Sequence, residues 1–309
     1  MKLVRVGSEP ILKPRKDVPW EKDAVLNTAA CYADGKFHLF YRAVAHNPGD
    51  PNRSCIGYAW SDDGIHFERL DDPILRPGER PEEAQGVEDP RITLLEGTWH
   101  LLYTAYDGTY TQISRAILKD DQKTWEKTGI CFGYDILGQN KDAALFPERI
   151  NGEYCLIHRP SGFLGAPRAE NETDDIWISY STDLSHWHGH TRFMKARRGE
   201  IDWEYTKNGL AGTPHKTEAG WLTVYHAVDK NSIYRLGLAL LDLEDPTKVL
   251  KQTDEPILSP EVGWEIEGDV NNVVFSCGSV LLGNELWVYY GGADTVIGLA
   301  KGDVSEFLR

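Results

Sequence analysis

One aspartate and a scattered set of basic residues are the side chains of this sequence best suited to chemistry. The aspartate is Asp89, in Gly86-Val87-Glu88-Asp89-Pro90-Arg91. The basic residues recur at one place in a repeated pattern, an apolar strand ending in Tyr or His, then a small or basic residue and a bend. Its copies are Leu39-Phe40-Tyr41-Arg42-Ala43, Leu101-Leu102-Tyr103-Thr104-Ala105, Leu156-Ile157-His158-Arg159-Pro160, Thr223-Val224-Tyr225-His226-Ala227 and Val288-Tyr289-Tyr290-Gly291-Gly292. Their fourth residues are Arg42, Thr104, Arg159, His226 and Gly291, three of which can carry positive charge. A second aligned position lies eight residues before the turn glycines Gly35, Gly97, Gly152 and Gly220. It holds Asn27, Asp89, Ala144 and Gly212, so Asp89 is its one carboxylate. Lys141, three residues before Ala144, and Lys207, five before Gly212, precede inner strands and are within reach of the same rim.

One acid beside a cationic pocket has a definite chemical meaning. An inverting glycosidase needs two carboxylates, an acid and a base that activates water. A phosphorylase needs only the acid, because phosphate is already an anionic nucleophile that cations position. Lys141, Arg159, Lys207 and His226 together suit a phosphate or carboxylate group. These cations would also tend to lower the pKa of the acid. Plainer roles compete: Asp before Pro commonly starts a turn, and an isolated loop lysine is usually a solvated charge. Glu88 is expected to point away from Asp89, because side chains alternate along a strand. Arg42 and Arg53, in the first copy, could instead hold sugar hydroxyls.

Such residues converge only if the repeated strands do. Short aromatic or β-branched runs such as Lys36-Phe37-His38-Leu39-Phe40-Tyr41 follow turns at Asp34-Gly35, Glu96-Gly97, Asn151-Gly152, Ala219-Gly220 and Gly283-Asn284. A less regular strand follows each, ending in a polar turn and an aromatic, as in Ser61-Asp62-Asp63-Gly64-Ile65-His66-Phe67 and Ser181-Thr182-Asp183-Leu184-Ser185-His186-Trp187. Tyr41, Tyr103, His158, Tyr225 and Tyr290 are spaced by 62, 55, 67 and 65 residues, roomy for the roughly 40- to 50-residue repeat of a four-stranded blade. The expected fold is all-β, a five-bladed β-propeller with a central active-site funnel, and residues 1–309 form a single domain. A pair of β-sandwiches accounts less well for five similar units.

Composition narrows the partners. The net charge is −15 over 309 residues, which disfavours nucleic acid and anionic membrane. No apolar run near Met1 suggests a leader, and none is long enough to cross a bilayer. Cys31, Cys55, Cys131, Cys155 and Cys277 are odd in number and widely spaced, fitting reduced thiols in a cytoplasm. His188-Gly189-His190 reads as a loop pair with no nearby carboxylate, and no metal site is expected. Ten Trp and fourteen Tyr suit sugar stacking, though β proteins are aromatic-rich anyway.

Several segments together resemble glycoside hydrolase family 130. They are Gly86 to Ile92, Ala144-Leu145-Phe146-Pro147-Glu148-Arg149-Ile150-Asn151-Gly152 leading to His158-Arg159-Pro160, Gly220-Trp221-Leu222 to Tyr225-His226, and Tyr289 to Gly298. The resemblance covers essentially the whole chain. It implies a five-bladed propeller and an inverting β-mannoside phosphorylase, a hexosyltransferase that releases α-mannose 1-phosphate. It implies Asp89 as the acid, acting through the 3-hydroxyl of the mannose being cleaved. It places phosphate on Lys141, Arg159, Lys207 and His226, and mannose on Asn27, Arg42, Arg53 and Asp294. Lys141 keeps the charge of an arginine but not its bidentate geometry. The implied partners are a β-manno-oligosaccharide and inorganic phosphate, the latter a co-substrate, with no cofactor. Oligomeric state stays open, a homo-oligomer included. A minority of the family are β-1,2-mannosidases that lack the phosphate-binding cations; this chain keeps all four. The overall resemblance leans to β-1,2-mannobiose over β-1,4 substrates, without a physical argument.

Two other functions remain as alternatives. A hydrolase would need a second funnel carboxylate, and Asp107, Asp229 and Asp294 each follow an aligned fourth position by three residues. A sugar-binding propeller without catalysis would repeat a similar site in every unit, whereas here the aligned positions differ.

Overall fold

The computed structural model describes residues 1–47, 54–78, 80–121, 123–162 and 172–309. Strands dominate them. After a two-residue strand β1 (Val4–Arg5) the chain forms antiparallel meanders. Unit one is β2 (Ala24–Ala33), β3 (Lys36–Val44), β4 (Ser54–Ser61) and β5 (Glu68–Arg69). Unit two is β6 (Gly86–Leu95), β7 (Thr98–Tyr106), β8 (Thr111–Leu118) and β9 (Trp125–Ile130). The two share one sheet only through a single parallel pair, Ser54 with Gly86. Unit three is β10 (Asn140–Leu145), β11 (Tyr154–Pro160), β12 (Ile176–Ser181) and β13 (His188–Met194). In unit four, β14 (Lys207–Leu210) and β15 (His215–Thr217) both pair with β16 (Gly220–Val228), followed by β17 (Tyr234–Leu241) and β18 (Val249–Gln252). Unit five is β19 (Val274–Leu282), β20 (Glu285–Gly292) and β21 (Val296–Asp303), and β1 supplies its outer strand by pairing with β21.

Local chemistry explains the meanders. Asp34-Gly35, Glu96-Gly97 and Asn151-Gly152 have positive φ at both residues, the conformation of tight hairpin turns that match strand twist. Between the third and fourth strands, Asp63 and Asp183 each accept two backbone N–H bonds through Oδ1 and pair through Oδ2 with His66 and His186. Asp121, Asp242 and Asp303 cap the corresponding turns of the other units.

Alternation sends Tyr41 and Arg42 to opposite faces of β3, and the same holds in the later copies. The aromatic partner goes into the core. Tyr41, Tyr103, Tyr225 and Tyr290 donate their hydroxyls to Glu21, Glu83, Glu204 and Glu265 at 2.7, 3.0, 2.7 and 2.7 Å. All four carboxylates are fully buried, and each is paired with a cation: Arg15 and Arg69, Lys127, Arg197, and Arg5. Unit three replaces the tyrosine with His158, which bonds Asn140 and Ser179 instead. The Tyr-or-His position of the repeat is therefore an anchor in the core.

The large apolar clusters lie between successive units. One joins units one and two through Phe40, Ile56, Val87 and Leu101, the next joins two and three through Leu102, Ile113, Leu145 and Leu156. Further clusters join three to four, four to five, and five to one, the last through Leu39, Tyr41, Trp287 and Tyr289. First strands of successive units also touch, β2 on β6, β6 on β10, β10 on β14, and β19 on β2. Side chains opposite the aromatic anchors consequently face one another. No helix of the described residues is long and apolar enough to cross a membrane.

Candidate active site

The site is built on a bulge repeated in the first strands. Between β2 and β3 the register steps from Leu26–Arg42 to Ala29–Phe40. Between β6 and β7 it steps from Glu88–Thr104 to Arg91–Leu102, and between β10 and β11 from Lys141–Arg159 to Ala144–Ile157. Each step inserts one residue, bends the strand and re-aims a side chain. The inserted positions hold Asn27, Asp89 and Asp142 with φ of 46, 49 and 55°, a left-handed conformation that Asn and Asp tolerate better than most residues.

Two sequence expectations are corrected here. The unit-three counterpart of Asp89 is Asp142, not Ala144, because the connection to the turn glycine is two residues longer there. Glu88 does not point away from Asp89: Arg42 reaches both, with Nη2 donating to Glu88 at 2.8 Å and Nη1 to Asp89 at 3.3 Å. The bulge breaks the alternation on which the opposite expectation rested. The fourth-position alignment does hold, since Arg42, Thr104, Arg159, His226 and Gly291 pair with Leu26, Glu88, Lys141, Gly209 and Phe275 at equivalent rungs. Lys141 and Lys207 lie on β10 and β14 themselves rather than in loops before them.

A cavity of about 200 Å³ gathers Asn27, Arg42, Asp89, Lys141, Arg159, Lys207, His226 and Asp294 on one wall system. Arg53 lies outside the described residues. Asp89 accepts the Asn27 amide at 2.9 Å, and both this contact and that from Arg42 fall on Oδ1. Among the described residues no hydrogen bond reaches Asp89 Oδ2. Gly291 makes the arrangement possible, because a Cβ there would stand 2.6 Å from Asn27 Oδ1.

The electrostatics divide the cavity. On one side Arg42 is half-buried among Glu88, Asp89 and Asp294, and their charges outweigh its desolvation and hold it protonated. Burial pushes the Asp294 carboxyl up to about 6, against the pull of Arg42. On the other side burial pushes Lys207 down to about 8, with Arg159 adding repulsion. Its Nζ stands 4.9 Å from the centre of the Tyr234 ring. His226 departs from expectation as a cation. Burial pushes it down to about 3, so the ring is neutral at physiological pH. The cationic wall is therefore Lys141, Arg159 and Lys207, with His226 as a neutral neighbour.

Sequence reasoning missed Asp142, Arg91, Tyr234, Val270, Val273 and Phe275. All but Arg91 line the cavity, and Arg91 lies beneath it, 1 % exposed. Arg91 Nη1 donates to the Asp89 carbonyl at 2.9 Å and Nη2 to Asp142 Oδ1 at 3.0 Å, tying two bulges together. The signal for Asp142 was its place beside Lys141, obscured by the longer turn. Of the three alternative bases, Asp107 and Asp229 cap local backbone N–H groups and only Asp294 lines the cavity. His188 begins β13 rather than a loop and meets a carboxylate, Glu153, at 2.8 Å, while His190 bonds Ser179. Among the described residues no group of three or more His, Cys, Asp or Glu could hold a metal. A second cavity of about 520 Å³ shares Arg42 and Asp294 with the first and adds His46, Ser54, Gln85, Glu88 and Tyr106.

The family described as beta-1,4-mannooligosaccharide phosphorylase matches residues 5–309. The chain belongs to glycoside hydrolase family 130. It is 44% identical over 305 residues to a 1,2-beta-oligomannan phosphorylase of Thermoanaerobacter sp. (strain X514), covering 97% of each chain. It is 47% identical over 310 residues to a beta-1,2-mannobiose phosphorylase of the same strain, covering 97% of this chain and 96% of the relative. Its fold is similar to that of the beta-1,2-mannobiose phosphorylase from Listeria innocua, solved in complex with beta-1,2-mannobiose. The TM-score is 0.86 at 30% identity, covering 100% of this chain and 98% of that one. Both Asp89 and the cationic wall fall inside the stretch matched by family 130.

Proposed function

We propose that this family 130 chain is an inverting β-mannoside phosphorylase acting on β-1,2-mannobiose or short β-1,2-oligomannan. The observation that carries the reading is one cavity holding Asp89 opposite Lys141, Arg159 and Lys207. The similarity to phosphorylases of β-1,2-linked mannosides supports the linkage.

In this reading phosphate sits on Lys141, Arg159, Lys207 and neutral His226, which donates one N–H. Mannose is held by Asn27, Arg42 and Asp294, with Arg53 a further candidate. A phosphate oxygen forms a bond to C1 as the bond from C1 to the bridging oxygen breaks. Asp89 gives its proton, through the mannose 3-hydroxyl, to the departing oxygen and is left as a carboxylate. The products are α-mannose 1-phosphate and a shortened saccharide. The departing saccharide lies in the second cavity, which meets the first at Arg42 and Asp294.

The finer architecture belongs to the same proposal: five units closing as a single-domain, five-bladed propeller around this cavity. Core clusters between every successive pair of units, the fifth with the first included, support it. All five cysteines are free thiols, which supports a reducing, cytoplasmic location.

The test is incubation with β-1,2- and β-1,4-mannobiose, with and without phosphate, reading mannose 1-phosphate. Phosphate-dependent release of mannose 1-phosphate from the β-1,2 substrate is expected. Free mannose released equally fast without phosphate would point to hydrolysis, with Asp294 as the base.

A further inference from the structure

Asp142 stands in the anion wall with the same sign of charge as the anion. It is 2 % exposed and lines the cavity. Its Oδ2 accepts Arg159 Nε at 2.7 Å, and its Oδ1 accepts Arg91 Nη2 at 3.0 Å. His226 Nε2 lies 3.5 Å from Oδ2 but makes no hydrogen bond among the described residues. Burial would raise this carboxyl, but Arg159 and Arg91 hold it far below the usual carboxylate range, so the charge is permanent.

The surroundings are shaped for this contact. Asp142 takes a left-handed φ of 55° at the bulge of β10. Across from it, a Cβ on Gly209 would stand 2.5 Å from both Asp142 Oδ2 and His226 Cε1. Only a glycine lets the carboxylate, the imidazole and β14 meet there. Arg159 is engaged on its other side as well, its Nη1 bonding Ser161 at 3.1 Å and Asp174 at 3.5 Å. Among the described residues its Nη2 has no hydrogen bond.

We infer that Asp142 is a positioning residue for phosphate, which holds the Nε edge of Arg159 so that Nη2 is presented to the anion. The inference rests on the phosphorolytic reading above. It makes a prediction opposite in sign to simple electrostatics. Removing a negative charge beside an anion site strengthens anion binding if only the field matters. Removing a clamp weakens it, because a guanidinium recognises phosphate through fixed geometry.

The experiment uses the full chain and steady-state kinetics with phosphate and β-1,2-mannobiose varied in turn. Asp142→Asn is expected to raise the phosphate KM about tenfold or more, as loss of one charged hydrogen bond implies. The mannobiose KM stays within about twofold. Gly209→Ala changes no charge, keeps both partners and should show the same split. It also carries the test if Asp142→Asn does not fold. In an Arg159→Lys background, which lacks the clamped edge, Asp142→Asn should add little, because the two residues act as one unit. A phosphate KM that falls or stays unchanged in Asp142→Asn or Gly209→Ala overturns the inference, as do equal rises in both KM values. Additive effects in the Arg159→Lys background overturn it too. A wild-type rate indifferent to phosphate overturns the phosphorolytic reading and this inference together. A phosphate-dependent wild type without the KM split overturns this inference alone.

Discussion

Asn27 donates its side-chain amide to Asp89 Oδ1 at 2.9 Å, joining the bulges of two neighbouring units. With Arg42 on the same oxygen, the contact fixes the carboxyl rotation and leaves Oδ2 without a hydrogen bond among the described residues. Asp89→Asn keeps that shape without a transferable proton. It should lower kcat about 10²- to 10⁴-fold, with the mannobiose KM little changed. Near-full turnover of mannobiose by the variant would remove Asp89 from the acid role.

Lys207 should give the reaction a basic limit. Its folded pKa is pushed down to about 8 by burial, with Arg159 contributing, so it is charged below that pH and neutral above. The phosphate KM is expected to rise as the pH climbs through 8 to 9, where the phosphate is already a dianion and Lys207 loses its charge. Lys207→Arg, with a group that stays charged, should flatten that rise. Phosphate titrations at each pH measure it, and a wild-type profile without the rise refutes the assignment.

Asp294 supplies the opposite limit. Its carboxyl is pushed up to about 6 by burial, offset in part by Arg42, so it is ionised above that pH and protonated below. An ionised carboxylate accepts hydroxyl bonds only. The mannoside KM should therefore rise as pH falls from 7 to 5. In Asp294→Asn the mannoside KM should be higher throughout and lack this dependence.

The buried Glu204 of unit four accepts Tyr225 and Arg197, each at 2.7 Å, outside the cavity. Removing one member of such a pair leaves an uncompensated charge and costs about 3 to 5 kcal/mol. Glu204→Ala should lower the urea midpoint accordingly, while the KM values of the folded fraction stay near wild type. A large change in either KM with an unchanged midpoint would contradict a purely architectural role.

Much of the frame was legible because its causes are local. Asx-Gly turns, period-two alternation and a recurring Tyr or His placed the hairpins and the rung carrying Arg42, Thr104, Arg159, His226 and Gly291. Asp89 was legible because its unit keeps the commonest turn length. Asp142, one residue from a residue already singled out, was not, since the longer turn of unit three displaced it from the alignment.

By itself the sequence determined the repeated meanders and the basic residues gathered at one end of the strands, with Asp89 among them. These follow from turn chemistry and side-chain alternation within a few residues. Tertiary structure alone decided that Glu88 shares Arg42 with Asp89, that His226 is neutral and that Asp142 clamps Arg159. Bulges re-aim side chains according to the partner strand, and desolvation depends on neighbours from other units, so neither can be read along the chain.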